Sequence, residues 1–249
     1  LTSSLMPTLS AKDSNVAEIA ETTQLAHGLH SWWGKEVVSA DVEIVFGGNV
    51  IVGGTFKFEA HGHKARYDLP DGATVYFDGN TAWIYPSDAD DARGRFHVLT
   101  WPWFIMAPLK MEGEGVVLSH PSKALVGGKT YQTVLQTFES GTGDTPDDWY
   151  RFYVDPKTNL IDAMSYIVTY GKDLETANEQ ASIIKYFDYE SAGGPMISTR
   201  YEFWYWDQAT QATPADGMKG TGSVSAITYP KSSEVSFEVP DGARELAMP

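Results

Sequence analysis

The sequence contains no cysteine, which excludes disulfide bonds, thiolate metal sites and thiol nucleophiles. It is also poor in positive charge: 18 Lys and Arg residues stand against 33 Asp and Glu residues, giving a formal net charge of −15. Nucleic acids and anionic membranes are bound by basic faces, so we expect neither as a partner. No apolar run reaches the roughly 20 residues of a transmembrane helix. The longest candidate, residues 98–109, is too short and carries two prolines.

Catalytic motifs are also missing. The nearest approach to a Gly-x-Ser-x-Gly nucleophile elbow is Gly-Thr-Gly-Ser-Val at residues 220–224, where the order is wrong. Acidic clusters at residues 112–114 and 144–148 lie in connections, where carboxylates are usually solvated, although a carboxylate pair could serve glycoside hydrolysis. These observations favour a protein that is not an enzyme and has no cofactor.

What the chain does contain is apolar and aromatic surface. Aromatic residues make up 13% of its 249 residues and include eight tryptophans. A chain of this length can bury a large core without disulfide bonds. Since no internal repeat or composition shift marks a second domain, we expect a tether at residues 1–14 and a single domain at residues 15–249.

The first periodic segment predicts a helix over residues 15–33. Val16, Ile19 and Trp33 belong to a stripe with three- and four-residue spacing. Asp13, Ser14 and Asn15 are candidate N-caps, and Gly34 is a candidate C-terminal stop.

From residue 37 the period changes to two, which predicts antiparallel strands. Gly47-Gly48 predicts a turn, and Gly53-Gly54 predicts a bulge or a close backbone approach. Asp-Gly turns at residues 71–72 and 78–79 predict two further hairpins. Further strands are predicted at residues 130–138, 149–154, 160–170, 183–189, 197–206 and 224–229, with a hairpin turn at Asp155-Pro156.

Residues 93–115 break this rhythm with dense aromatics and two prolines, so we expect a short helical or coiled insertion. About ten twisted antiparallel strands curl rather than lie flat. The predicted fold is therefore mainly β (α+β): a highly curved antiparallel sheet, or unclosed barrel, with an N-terminal helix and a lid insertion.

Several short motifs carry a family resemblance. A leading amphipathic helix, a curved meander, an aromatic insertion with prolines and the hairpins at residues 153–160 and 186–195 together resemble the LolA/LolB-like superfamily of lipoprotein carriers. More closely, the helix end at Ala26-His27-Gly28 followed by Trp32-Trp33, the turn at residues 78–83 and the segment 93–108 resemble an uncharacterised exported-protein family related to it. The resemblance implies a periplasmic or outer-membrane-associated protein of the bacterial envelope, with its signal peptide removed. It implies a lipid, lipoprotein or other hydrophobic ligand, a possible envelope protein partner, and an arginine that locks the lid, for which Arg66 is the candidate.

On this reading the aromatic residues of the concave face and the lid bind the ligand, because such pockets are lined mainly by aromatic and aliphatic groups. The predicted ligand-binding residues are Phe56, Phe58, Tyr67, Trp83, Trp101, Trp103, Phe104, Phe152 and Tyr166.

Two alternatives stay open. His27 and His30 on the helix, with His61 and His63 on a strand, are paired at spacings that could hold a metal for a hydrolase, although spacing alone is weak evidence and no metal is expected. The aromatic strand at residues 201–206 could instead present an edge or an aromatic surface to a protein partner.

Overall fold

The computed structural model describes residues 11–90, 93–191 and 193–248. Four helices lie in these ranges: α1 (Ala11–Ala26), α2 (Leu29–Trp32), α3 (Gly94–Met106) and α4 (Leu174–Glu179). The strands are β1 (Val37–Phe46), β2 (Asn49–Glu59), β3 (Ala65–Asp68), β4 (Thr74–Phe77), β5 (Ala82–Tyr85), β6 (Val116–Val126), β7 (Lys129–Phe138), β8 (Tyr150–Val154), β9 (Ile161–Tyr166), β10 (Ser182–Ser191), β11 (Met196–Tyr205), β12 (Met218–Thr228) and β13 (Arg244–Leu246). Two 3₁₀ turns occupy Ala107–Leu109 and Ser232–Glu234.

All thirteen strands form one antiparallel sheet, in the order β13-β5-β4-β3-β2-β1-β12-β11-β10-β9-β8-β7-β6. Two meanders, β1 to β5 and β6 to β12, are joined where β1 pairs with β12. Within the described ranges β13 and β6 remain as the two ends, so the sheet does not close. The predicted curved, unclosed antiparallel sheet is confirmed.

Helix α3 lies in the connection between β5 and β6, which are far apart in the strand order. It contacts β2, β3, β4, β5 and β11. Val98, Trp101 and Ile105 on α3 are buried in the main core together with residues of the sheet and of α1. The predicted helical insertion is therefore confirmed. We call the sheet face that packs against α1 and α3 the inner face, and the opposite one the outer face.

A second, smaller core lies on the outer face. Tyr153 and Ile183 of the sheet pack there with Trp206 and with Ala177 of α4. Strands β8 to β11 are consequently covered on both faces, since Phe152 and Phe203 on the alternate positions belong to the main core. This explains why aromatic residues occur on both faces of these strands.

The N-terminal helix differs from its prediction. α1 spans Ala11–Ala26 and ends there because Gly28 adopts a left-handed conformation (φ 84°) as the N-cap of the separate short helix α2. A Cβ at Gly28 would lie 3.1 Å from the Cα of Pro195, so the close approach also favours glycine. The predicted single helix is thus interrupted at Gly28, whereas α2 ends at Trp32 with Trp33 as its C-cap, directly before the predicted stop at Gly34. The predicted N-caps fall inside α1. Residues 1–10 of the predicted tether lie outside the described ranges.

The glycine signals are confirmed. Gly47 and Gly48 have φ angles of 57° and 80° in the β1–β2 turn. At Gly54, which has a φ of 145°, a Cβ would lie only 2.3 Å from the carbonyl oxygen of Asp68 on β3. The predicted close backbone approach is therefore real.

Three elements have no counterpart in the sequence predictions: β6, β13 and α4. β6 is a terminal strand with a register irregularity between Ser119 and Ser122, next to Pro121. Proline is tolerated at such an edge, and the mixed exposure of β6 weakens the alternating pattern. β13 has three residues, and α4 has six. Asp173 caps α4 by accepting a hydrogen bond from the backbone N–H of Thr176.

Candidate ligand-binding site

A cavity of about 480 Å³ lies between α3, the ends of β2 to β4, and the loop that connects β7 to β8. Its size falls within the range of roughly 300–1,000 Å³ that is typical of small-molecule sites. Its apolar and aromatic lining comprises Phe58, Ala65, Phe77, Phe96, Val98, Leu99, Pro102, Trp103, Phe104, Phe138, Tyr150, Val168 and Tyr170.

Helix α3 provides one wall of the cavity. Phe96, Leu99 and Trp103 follow one another at three- and four-residue spacing, so they share a helical face. All three are only partly buried, whereas Val98 and Trp101 between them are buried. One side of α3 thus fills the main core, and the other side borders the cavity.

Aromatic contacts build the opposite wall. The rings of Trp103 and Tyr150 are stacked with centroids 4.0 Å apart, and Tyr150 in turn lies against Tyr166 on β9. Phe104 packs edge-on against Tyr166 at 4.9 Å. Burial raises the pKa of Tyr150 well above its ordinary value, so its hydroxyl stays protonated and can donate.

The lining also carries a buried acid, Asp148. Its Oδ1 accepts hydrogen bonds from the backbone N–H and the hydroxyl of Thr169 at 2.7 and 2.8 Å. Its Oδ2 accepts from the hydroxyls of Thr145 and Tyr150 at 2.9 and 3.2 Å. Burial raises the pKa of Asp148, although these four donors partly oppose the effect. Asp148 therefore organises the loop beside the cavity.

A partly buried lysine, Lys110, completes the polar lining. It follows the 3₁₀ turn at the end of α3, and its carbonyl oxygen accepts a hydrogen bond from Nε2 of the buried Gln136 at 2.9 Å. Burial lowers the pKa of the Lys110 ammonium.

Of the nine predicted ligand-binding residues, Phe58, Trp103 and Phe104 line the cavity. Tyr166 lies behind the cavity wall, against Phe104. The remaining five lie elsewhere, four of them in the main core.

Phe56 and Tyr67 stack on each other at 4.2 Å inside the main core, and Phe152 is fully buried there. Trp101 packs against Phe203 of β11. Trp83 alternates with buried residues of β5 and so faces outward, where its indole N–H donates to Asp78.

The lid-locking candidate Arg66 also lies on the outer face, between the inward Ala65 and Tyr67. Its guanidinium pairs with Asp68 at 2.6 Å and reaches the carbonyl oxygen of Ser236 at 3.4 Å. A different arginine, Arg95, lies on α3 and donates hydrogen bonds to both carboxylate oxygens of Asp144, at 2.7 and 2.8 Å.

Among the described residues, no group of three or more His, Asp or Glu side chains is placed to hold a metal ion. His27 is buried, accepts a hydrogen bond on Nε2 from the backbone N–H of Ile161, and lies 3.4 Å from the carbonyl oxygen of Met196 through Nδ1. His61 lies 3.2 Å from the carbonyl oxygen of Trp32. The predicted candidates further include His30, which packs against Trp33, and His63, which lies at the cavity rim.

The strand at residues 201–206 is not an edge. β11 pairs with β10 on one side and with β12 on the other, so edge pairing by this strand is a wrong prediction.

Several lining residues were missed by the sequence predictions, notably Phe77, Lys110, Phe138 and Tyr170. The spacing of Phe96, Leu99 and Trp103 could have revealed one wall, had the insertion been read as a single helix. No local signal identifies Lys110, because its role depends on how α3 crosses the sheet.

Residues 96–191 match a family of unknown function, DUF6503. No curated protein matches the chain. A LolA superfamily protein from Nitrosomonas europaea has a similar structure, with a TM-score of 0.54, 8% identity, and coverage of 91% of this chain and 95% of that one. A putative outer membrane lipoprotein-sorting protein domain from Vibrio parahaemolyticus is also similar, with a TM-score of 0.53 and 12% identity. That match covers 88% of this chain and 94% of the other. This chain therefore shares its fold with the LolA superfamily.

In the described ranges no helix has the length and apolarity to cross a membrane.

Proposed function

We propose that this protein is a non-enzymatic binding or carrier protein, which holds a lipid or another hydrophobic molecule in the cavity beside α3. The observation that carries the proposal is the cavity itself, whose lining is dominated by aromatic and aliphatic side chains. Burial of apolar ligand surface against such a wall provides the main driving force for binding.

The arrangement of the fold supports this role. Most of the inner face is filled by α3 and by the main core, so the space left for a ligand is confined to the side of α3 that carries Leu99 and Trp103. The ligand therefore enters between the helix and the 139–149 loop rather than spreading over the bare sheet.

The bacterial envelope, periplasmic or outer-membrane-associated, is the proposed location. The Vibrio parahaemolyticus domain of similar fold is described as a putative outer membrane lipoprotein-sorting protein. A lipid or lipoprotein ligand and an envelope protein partner are proposed on the same ground.

Ligand binding can be tested with the full chain. Purified protein is extracted with organic solvent, and mass spectrometry identifies any apolar molecule that was retained. Delipidated protein is then titrated with phenylnaphthylamine, a neutral dye that fluoresces in apolar surroundings. We expect saturable binding and displacement by added lipid. Absence of both a retained molecule and saturable dye binding would refute the proposal.

A pair of variants assigns the binding to the cavity. Leu99→Trp places a larger side chain in the cavity wall, where the indole fills space that the dye would occupy. The dye then buries less of its own apolar surface, so its binding should fall by on the order of tenfold or more. Leu125→Trp makes the same change on exposed β6, outside the lining, and should bind like the wild type. Circular dichroism checks that both are folded. Equal binding by the two variants would place the dye elsewhere.

A further inference from the structure

The ammonium group of Lys110 has no partner in the part of the chain that the structure describes: it makes no hydrogen bond, ion pair or ring contact there. Its backbone is nevertheless fixed, because its N–H donates to the carbonyl oxygen of Ala107 and its own carbonyl accepts from Gln136. Lys110 is thus a positioned but uncompensated cation in the wall of an apolar cavity.

The acidic groups around the cavity are already satisfied by other donors. Asp144 is held by Arg95, and Asp148 accepts four hydrogen bonds from its own loop and from neighbouring residues. Glu59 accepts from the backbone N–H of Lys64. None of these carboxylates compensates Lys110, so no acidic lining residue in the described ranges supplies its counter-charge.

An uncompensated cation in such surroundings is costly, because burial removes water without supplying an acceptor. Burial lowers the pKa of Lys110 accordingly. The other basic lining residues, His63 and Lys64, are exposed at the rim, where water solvates them. An anionic oxygen beside Lys110 would form a charge-assisted hydrogen bond in a poorly hydrated place, where such bonds are strong.

The size of the cavity bears on the tail of the ligand. The cavity measures about 480 Å³, toward the lower end of the roughly 300–1,000 Å³ that is typical of small-molecule sites. A ligand with one long alkyl chain suits such a volume better than a ligand with two.

We infer that the cavity selects a single-chain amphiphile with an anionic head, whose alkyl tail lies along the aromatic wall and whose carboxylate or phosphate binds the Lys110 ammonium. This inference rests on the proposed function, because it names the ligand class of the same cavity. It adds a requirement for charge that a purely apolar site would not have.

The test compares heads on a constant tail. Delipidated protein is titrated by dye displacement with hexadecanoate, hexadecyl phosphate, hexadecanol and hexadecyltrimethylammonium, all below their micelle concentrations. We expect one or both anions to bind at least about tenfold more tightly than hexadecanol, as a charge-assisted hydrogen bond provides, and the cation to bind most weakly. Whichever of hexadecanoate and hexadecyl phosphate binds more tightly identifies the anionic head group. Equal affinity for the anions and hexadecanol would overturn the inference, yet leave the proposed function intact.

Variants assign the preference to one residue. Lys110→Met keeps an unbranched side chain of similar length but removes the charge, so it should lose the preference for anions. Lys110→Arg should retain the preference, and Lys123→Met, a matched change on exposed β6, should behave like the wild type. A preference that survives in Lys110→Met would refute the role of Lys110.

A two-chain competitor tests the size limit. Dihexadecanoyl phosphatidylglycerol should displace bound hexadecanoate at least about tenfold less effectively than hexadecyl phosphate does. Equal displacement by the two would contradict the limit to a single chain. Failure of every amphiphile to bind would instead refute the proposed function.

Discussion

Arg95 on α3 and Asp144 in the β7–β8 loop are joined by two hydrogen bonds, of 2.7 and 2.8 Å, between one guanidinium and one carboxylate. The same guanidinium donates to the carbonyl oxygen of Asn80 at 3.3 Å and lies over the ring of Phe77. Arg95 therefore connects α3 to two other parts of the cavity wall, the β4–β5 turn and the loop opposite. The pair is well shielded, with side-chain exposures of 8% and 16%.

Removal of Arg95 should destabilise the protein. In Arg95→Ala the shielded Asp144 loses its counter-charge, and the free energy of unfolding should fall by about 3–5 kcal/mol, as for other buried ion pairs from which one partner is removed. Urea unfolding followed by tryptophan fluorescence measures this change.

The matched control is Arg200→Ala. Arg200 pairs with Asp188 at 2.7 Å, but both side chains are exposed, at 46% and 61%. An exposed pair contributes at most about 1 kcal/mol. If Arg95→Ala lowers the free energy of unfolding no more than Arg200→Ala does, the ion pair between Arg95 and Asp144 does not stabilise the position of α3.

Much of the fold could be predicted because its signals are local. Turns that need positive φ angles attract glycine, as at Gly47 and Gly48, and alternating strands reveal themselves by their period. What local patterns did not reveal was Gly28 as the end of α1, since its conformation is coupled to Pro195, which is distant in sequence. β6 was not predicted for a related reason. It is an edge strand with a neighbour on one side only, and its mixed burial leaves no clear alternation of apolar and polar residues.

The site was harder to predict than the fold. Phe56 and Phe152 have the same side chain and strand pattern as Phe58, yet only Phe58 lines the cavity. The difference depends on where α3 crosses the sheet, which is a long-range property. Lys110 illustrates the same limit, because a lysine after an apolar segment resembles any helix terminus.

The close approach at Gly54 makes a second prediction. In Gly54→Ala the new Cβ would lie 2.3 Å from a backbone oxygen of Asp68 and the φ of 145° would be strained. Since backbone atoms of a paired strand cannot yield easily, the free energy of unfolding should fall by roughly 2–4 kcal/mol. Urea unfolding measures the loss.

Gly47→Ala separates the steric effect from the conformational one. Gly47 also has a positive φ, of 57°, but a Cβ there would meet nothing within 4 Å. Its cost should be only about 1 kcal/mol, from the left-handed conformation alone. Equal losses for the two variants would show that the β2–β3 pair relaxes around Gly54.

His27 should make stability depend on pH. Burial lowers its pKa from 6.5 to about 4 in the folded protein. Protonation of His27 therefore favours the unfolded state. The contribution of neutral His27 to the free energy of unfolding is complete above about pH 6.5 and declines as the pH falls toward 4. Since each pH unit between the two values is worth about 1.36 kcal/mol, the loss should reach about 3 kcal/mol. His97, whose pKa burial also lowers to about 4, should add a similar decline.

Substitution identifies these contributions. Urea unfolding at several pH values between 4 and 7 should show a shallower decline for His27→Gln than for the wild type, and a shallower one still when His97→Gln is added. His30→Gln, on the exposed side of α2, controls for the substitution itself. A decline in His27→Gln as steep as in the wild type would mean that His27 is protonated in the folded state.

The last prediction separates core from cavity among the predicted ligand-binding residues. Phe152 is fully buried and outside the lining, whereas Trp103 is partly buried and within it. Phe152→Ala should lower the free energy of unfolding by about 3–5 kcal/mol through loss of core packing. Where it remains folded, its dye affinity should stay within about threefold of the wild type, since no lining contact is removed.

Trp103→Ala should do the reverse. It should cost less stability than Phe152→Ala, because part of the indole is already exposed, but it should weaken dye binding by on the order of tenfold, because the ligand loses apolar contact area. Urea unfolding and dye titration on the same preparations give both quantities. Weakened binding in Phe152→Ala together with normal binding in Trp103→Ala would move the site from the α3 side of the cavity to the sheet, because only direct contact with the ligand makes affinity fall independently of stability.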